Sequence, residues 1–176
     1  MKLNILILFL FCNSAFSTVA VIHSLKTMTK RSGVVLEAEV LSQDVFEDEK
    51  GRIITLSKLL VKDGLKGAKT GEEITLYQIG GEYKGRVMRF QGSSVFSPGE
   101  HIILFGTPYK DKIVQYGLGI GKFKVIKTHR GGEVVEDIHD LDIARKSLSG
   151  IHFFEAPKPR KYPSLEDFKN KIRSAL

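Results

Sequence analysis

The chain has a single cysteine, Cys12, and no apolar run long enough to cross a bilayer. One thiol cannot build a disulfide framework, so the folded part must rest on its hydrophobic core. The apolar stretch at 3–12, broken only by Asn4, is about half the roughly 20 residues that a spanning helix needs.

Catalytic motifs are also missing. The five histidines, His23, His101, His129, His139 and His152, include no His-x-x-x-His and no His-Glu-x-x-His spacing. That excludes a zincin-type metal centre at the level of motif. There is no Gly-x-Ser-x-Gly elbow to expose a serine nucleophile. Gly92-Ser93-Ser94 reads as a turn, where serine is common. The acidic segment 43–50 carries Asp44, Glu47, Asp48 and Glu49. Its spacing is not that of a calcium loop, and it reads as a solvated hairpin turn. Gly117-Leu118-Gly119-Ile120-Gly121-Lys122 is glycine-rich but is no phosphate loop, because Phe123 follows the lysine where Ser or Thr is required. Asp137, His139, Asp140 and Asp142 form one local group of possible ligands, read as a solvated loop. No catalytic, cofactor-binding or metal-binding residue is therefore expected.

What is present begins with a targeting pattern. Met1-Lys2, the apolar run, and Ala15-Phe16-Ser17 have the order of a secretory signal peptide cleaved after Ser17, with Ala20 as second choice. Cys12 would leave with it. The expected organisation is a signal peptide at 1–17, a polar leader at 18–31, a β-barrel domain at 32–138, a linker with a Pro-rich end at 139–163 and a helix at 164–176.

The chain has 176 residues, 42% hydrophobic and 27% charged, enough for one domain with a real core. The net charge is +7, and +6 without Lys2. Export makes nucleic acid an unexpected partner. A protein partner or an anionic component of a cell envelope suits the charge better, and scattered lysines also protect strand edges and keep the chain soluble.

Period-2 alternation dominates the middle. Val34, Leu36, Ala38 and Val40 share one face, with Glu37 and Glu39 towards water on the other. Ile53, Thr55, Ser57, Leu59 and Val61 follow over 53–62. Asp63-Gly64 reads as a turn and Leu65-Lys66-Gly67 as a capping segment. Further strands are expected at 74–79, 87–91 and 101–105. Val114, Tyr116, Leu118 and Ile120 alternate with glycines as a sixth. The apolar phase slips after Gly121, to Phe123 and Val125, which requires a bulge or sharp bend. Gly131-Gly132 and Val134-Val135 suggest a last hairpin arm, and 140–148 a brief helix. Gly67, Gly80, Gly81, Gly99, Gly117, Gly119 and Gly121 are the expected structural turns and bulges. Ser164 caps the final helix, with Leu165, Phe168 and Ile172 as its apolar stripe against the barrel. The fold class is all-β with a C-terminal helix. A small antiparallel OB-like β-barrel comes first and a β-sandwich second. On such a barrel Tyr77, Tyr83, Phe90, Tyr109 and Tyr116 could either fill the core or form a binding platform with basic neighbours.

Val34-Val35 to Val40, Ile53-x-Thr55, Leu59-x-Val61, Leu65-Lys66-Gly67, Gly80-Gly81 and Phe96-x-x-Gly99-Glu100 leading into Leu104-Phe105 together resemble a family of exported bacterial domains of unknown function. Its members have an OB-like, netrin/tissue-inhibitor-like barrel and sometimes occur near secreted matrixin-type metalloproteases. The resemblance covers about 33–125 and the terminal helix. It implies an exported, periplasmic or extracellular bacterial protein, and it brings no catalytic residues. Tissue inhibitors of metalloproteases chelate zinc through an N-terminal cysteine, which this chain lacks once Cys12 is removed. The expected function is a non-catalytic binding or structural module of the envelope or secreted fraction. The alternative is an accessory, inhibitor or targeting partner of a secreted hydrolase such as a metalloprotease.

Overall fold

The computed structural model describes residues 23–90, 92–128, 133–137, 143–147, 150–154, 160–162 and 164–176. Residues 1–17, read above as a signal peptide, with Cys12, and also His139, Asp140 and Asp142 lie outside the described residues. The first described element is a helix, α1 (Leu25–Arg31), where the sequence suggested only a polar leader. The Ser24 side chain caps it by accepting from the Thr27 amide, and Met28 and Thr29 are buried. Lys66 Nζ donates to the Thr29 carbonyl at 2.7 Å, placing a cation at the end of the helix. A helix of 7 residues is too short to persist alone, and burial of Met28 supplies what its local signals lack.

Two long strands follow, β1 (Val34–Glu47) and β2 (Ile53–Lys66). They pair antiparallel along their whole length, with register shifts at three places. The segment Asp63-Gly64 is thus part of β2 and not a turn. The pairing with Glu37 and Leu36 carries the strand through it, and the irregularity is absorbed as a bulge. Strand β3 (Glu73–Ile79) pairs antiparallel with β2. A small separate hairpin, β4 (Gly81–Tyr83) and β5 (Arg86–Met88), replaces the expected strand at 87–91.

Strand β6 (His101–Tyr109) runs antiparallel to β1, from Val34↔Gly106 to Glu39↔His101. Strand β7 (Lys112–Gln115) is antiparallel to β6 and meets β3 in parallel at Leu76↔Ile113. The order β1-β2-β3-β7-β6 therefore returns to β1. The sheet closes on itself, as in a small barrel. A five-stranded closed sheet of this order is OB-like.

The expected sixth strand is interrupted. Residues Leu118–Gly121 form a single 3₁₀ turn, after which β8 (Lys122–Lys127) begins on the same edge of β6 that β7 has just left. The apolar phase slip after Gly121 was the mark of this bend. Gly119 and Gly121 are buried in the turn and do not alternate along a strand. Strand β9 (Glu133–Asp137) pairs with β8 as the hairpin arm that Val134-Val135 suggested. The segment expected as a brief helix is instead β10 (Ile143–Ser147), antiparallel to β11 (Gly150–Phe154). The helical spacing of Leu141, Ala144 and Leu148 in the sequence is overridden by pairing with β11, which carries an isoleucine and two phenylalanines. A short β12 (Arg160–Tyr162) within the expected linker pairs with β9. Helix α2 (Leu165–Arg173) follows, capped by Ser164 through the Asp167 amide.

Two cores share the strands β1 and β6. Val34, Leu36, Ala38, Val40, Leu59, Val61, Leu76, Phe96, Ile102, Leu104 and Ile113 fill the barrel. On the outside, Val35, Ile103, Phe105, Phe123, Val125 and Val135 are covered by Met28 of α1 and by Leu165, Phe168 and Ile172 of α2. The stripe of α2 therefore packs on the barrel. Burial on both faces explains the unbroken apolar run Ile102-Ile103-Leu104-Phe105, where a one-sided strand would alternate.

Candidate functional site

Two constellations of different character stand out among the described residues. The first joins α2 to the barrel. Glu37 projects outward from β1, where the sequence placed it towards water, yet α2 covers it to 7% exposure. Its Oε2 accepts from Lys169 Nζ at 2.9 Å, and its Oε1 lies 2.8 Å from His101 Nε2. Lys169 also reaches Asp63 at 3.2 Å and Glu166 at 2.6 Å, and Arg173 reaches Asp63 at 2.7 Å. Burial pushes the Glu37 carboxyl up. The hydrogen bonds from His101 and Lys169 outweigh this, and the group sits below the ordinary carboxylate value. Burial likewise disfavours the Lys169 cation, but Glu166, Glu37 and Asp63 together hold it well above the usual lysine range. Glu39, the next outward residue, is half-exposed and pairs with Lys62 at 2.8 Å, which holds its carboxyl below the ordinary value.

This cluster is a clamp. Every ionised group in it has a charged partner, and its members come from β1, β2, β6 and α2. His101 Nδ1 stands 3.8 Å from Glu133 Oε1, too far for a hydrogen bond. One sequence signal pointed to the clamp. Lys169 lies between Leu165 and Ile172 on the apolar side of α2, and a lysine on an apolar stripe needs a buried acid. The acid itself could not be identified before α2 was placed.

The second constellation lies at the seam between β3 and β7. β3 and β7 share the one register position Leu76↔Ile113. Past it, Ser94 bridges the strands. Gln78 Nε2 donates to the Ser94 carbonyl at 3.0 Å, and Gln115 Nε2 to Ser94 Oγ at 2.9 Å. Over this bridge runs a groove of about 280 Å³, lined by Tyr77, Ile79, Phe90, Ser93, Val114 and Leu118 together with the two glutamines. Phe90 is 50% and Leu118 44% exposed. Tyr109 packs on Tyr77 with ring centroids 5.5 Å apart, and Lys110 Nζ stands 5.8 Å from the Tyr109 ring.

Leu118 is held at φ +58°. A side chain with a Cβ pays about 1–2 kcal/mol for that backbone, and here it does so to present an isobutyl group to solvent. Gly117 before it also has φ +61°, with Ile120 Cδ1 2.6 Å from where a Cβ would stand. The chain is thereby forced into the turn that carries Leu118 to the groove.

The glycines singled out in the sequence are therefore divided. Gly67, Gly80, Gly81, Gly99 and Gly117 all have positive φ and mark turns or strand ends. Gly119 and Gly121 lie in the 3₁₀ turn. The platform aromatics are divided too. Tyr77, Phe90 and Tyr109 gather at the groove. Tyr116 instead meets His23 through a 2.7 Å hydrogen bond. Tyr83 lies in the small hairpin, with Lys84 Nζ 5.2 Å from its ring. Among the described residues, no group of three or more His, Cys, Asp or Glu is arranged to hold a metal. In the sequence, Phe90 and Leu118 read as residues of two expected strands, so the groove was not legible there beyond the naming of Phe90 among the possible platform aromatics.

Fold and groove together define the class: a small OB-like barrel with a helix clamped on one face and an apolar groove beside the β3–β7 seam. No protein-family model matches this chain, and no curated protein matches it.

Proposed function

We propose that the protein is an exported, non-catalytic binding module whose ligand docks at the groove between β3 and β7. One observation carries this reading. Phe90 and Leu118 are left exposed around an apolar groove, and Leu118 is held there in a strained backbone. Folding alone gains nothing from such an arrangement, because a glycine or asparagine would make the same turn at lower cost. The ionic clamp supports the reading from the other side: its charges are mutually satisfied and serve to fix α2. The partner is a protein or an anionic envelope component, and a secreted hydrolase such as a metalloprotease is the specific protein partner to look for.

The test is capture from envelope and culture supernatant by the immobilised protein, eluted with a salt gradient, beside the Phe90→Asp variant. A specific protein retained above about 0.5 M salt, where the screening length is only a few Å, and lost by the variant supports the reading. If that protein is a hydrolase, the accessory role follows. Equal retention by both proteins, or release of anionic material alone at low salt, overturns the groove as the binding site.

A further inference from the structure

The groove offers a ligand side chains and little backbone. At Gln78, β3 is paired with Thr55 of β2 on one side, while β7 and Ser94 lie along the other. An added strand finds no free edge here. Charge does not select the ligand either. None of the lining residues is charged. Beside the groove the signs are mixed: Glu82 and Arg89 line the adjoining cavity together, and Asp111 follows Lys110.

What the groove presents is a set of rings and two amides. The Tyr77 ring is steadied by Tyr109, and Phe90 is half-exposed. Gln78 Nε2 donates to the Ser94 carbonyl and Gln115 Nε2 to Ser94 Oγ, which itself reaches the Gly119 carbonyl at 3.4 Å. Ser94 thus holds both amides in place, and polar groups fixed in advance lose less freedom on binding. A primary amide has two N–H donors and a carbonyl. Each glutamine spends one N–H on Ser94. One N–H and the carbonyl of each are left for a ligand.

These features sort ligands by class. An acyl chain would cover two amides without satisfying them. An ion finds no counter-charge in the lining. A sugar ring has hydroxyls at its rim and a face of C–H groups that lies flat on an aromatic ring. A plain hexose would still set hydroxyls against Ile79, Val114 and Leu118. An acetamido substituent answers both demands. Its N–H and carbonyl match a glutamine amide, and its methyl group is apolar.

We propose that the groove takes one ring of a glycan that carries acetamido groups. The ring face lies on Phe90, the acetamido N–H and carbonyl pair with the glutamine amides, and the methyl group meets Leu118. This deepens the binding-module reading and rests on it. The glycan is the envelope component of that reading, and any charge it carries lies outside the groove. A volume of about 280 Å³ is at the small end for ligand sites, which suits a single substituted ring.

The experiment titrates the full chain by calorimetry with trimers of N-acetylglucosamine, glucose and glucosamine in the same linkage. The N-acetylglucosamine trimer is expected to bind about tenfold more tightly than the other two, or better. Gln78→Leu and Phe90→Ala should each weaken it by about tenfold at little change in melting temperature. Gln78→Leu makes the lining more apolar, so a ligand held by apolar contact alone would be kept or gain. Phe90→Ala alters an exposed side chain, so it stands as the check should Gln78→Leu fail to fold. Competition by soluble cell-wall glycan fragments then separates an envelope source from other acetamido glycans, and either result there supports the ligand class. Equal affinity for the three trimers, binding kept in both variants, or no binding of any trimer overturns the proposal. A protein captured in the experiment above and lost by Phe90→Asp, with no acetamido sugar bound, would overturn this inference and leave the binding-module reading standing.

Discussion

Lys169 Nζ donates to Glu37 Oε2 at 2.9 Å across 132 residues of sequence. It is the contact by which the last helix of the chain recognises the first strand of the barrel. Glu37 occupies the outward face of β1 beside Val35, a core residue of the outer face. An acid there would be excluded by burial unless a cation came with α2. Phe168 and Lys169 together account for the docking: one fills the outer core, and the other satisfies the charge within it.

Removing the cation isolates the acid. Lys169→Ala is expected to destabilise the fold by about 3 kcal/mol, the usual cost of stranding one member of a buried pair. Glu37→Gln with Lys169→Met should recover much of this, because both charges leave together. Urea denaturation of the two single variants and the double variant measures the coupling directly.

Acid should loosen the clamp. Glu37 sits below its ordinary value of 4.5, so its stabilisation is fully present above that pH. It is lost as pH falls through the lowered folded value. Stability followed by thermal melting should therefore drop below about pH 4.5 more steeply in the wild type than in Glu37→Gln. Equal slopes would show that the carboxylate contributes nothing to docking.

The aromatic centre of the outer core should be costly to remove. The Phe168 ring lies 4.9 Å from that of Phe123 and 4.6 Å from that of Tyr162, centroid to centroid. Phe168→Ala should cost about 3–5 kcal/mol. Amide exchange should speed up first at β9 and α2, and last in the barrel interior, since the two cores lie on opposite faces of β1 and β6.

Relief of strain at the groove should separate stability from binding. Leu118→Asn removes a branched side chain from φ +58° and substitutes a residue that tolerates it. Stability is expected to hold or rise by up to about 1 kcal/mol, read as a shift in melting temperature. Binding at the groove should weaken in the same variant.

Gly67 tests the opposite case. It ends β2 at φ +63°, and a Cβ there would strike the Gly33 carbonyl oxygen. Gly67→Ala should destabilise by about 1–3 kcal/mol from backbone strain alone. The same change at Gly71, also at positive φ but with open space around it, should cost less. The difference between the two melts isolates the clash.

The barrel strands were readable because each buries a face, and a buried face imposes period 2 on its own residues. Ile53, Thr55, Ser57, Leu59 and Val61 are all buried as that alternation required. The final helix was readable from Ser164 and the Leu165, Phe168, Ile172 stripe for the same local reason. Helix α1 was not, since a helix of 7 residues with two buried positions leaves too little periodicity to detect. Nor was the path of 114–121. Alternating glycines are compatible both with a bent strand and with the 3₁₀ turn that occurs, and the choice depends on β8 returning to the edge of β6.

The sequence by itself determined a small all-β fold, the inward faces of its strands, the docking stripe of its last helix and the want of a familiar catalytic motif. These are local properties, written in spacing and in the identity of turn residues. Tertiary structure alone decided that the sheet closes through β1 and β6, that Glu37 is buried against Lys169, and that Phe90 and Leu118 border one groove beside β3 and β7. Each of these depends on residues far apart in the chain. Whether a strand's outer face meets water or a helix, and whether an edge is paired or open, is set by the neighbour that arrives and not by the strand's own residues.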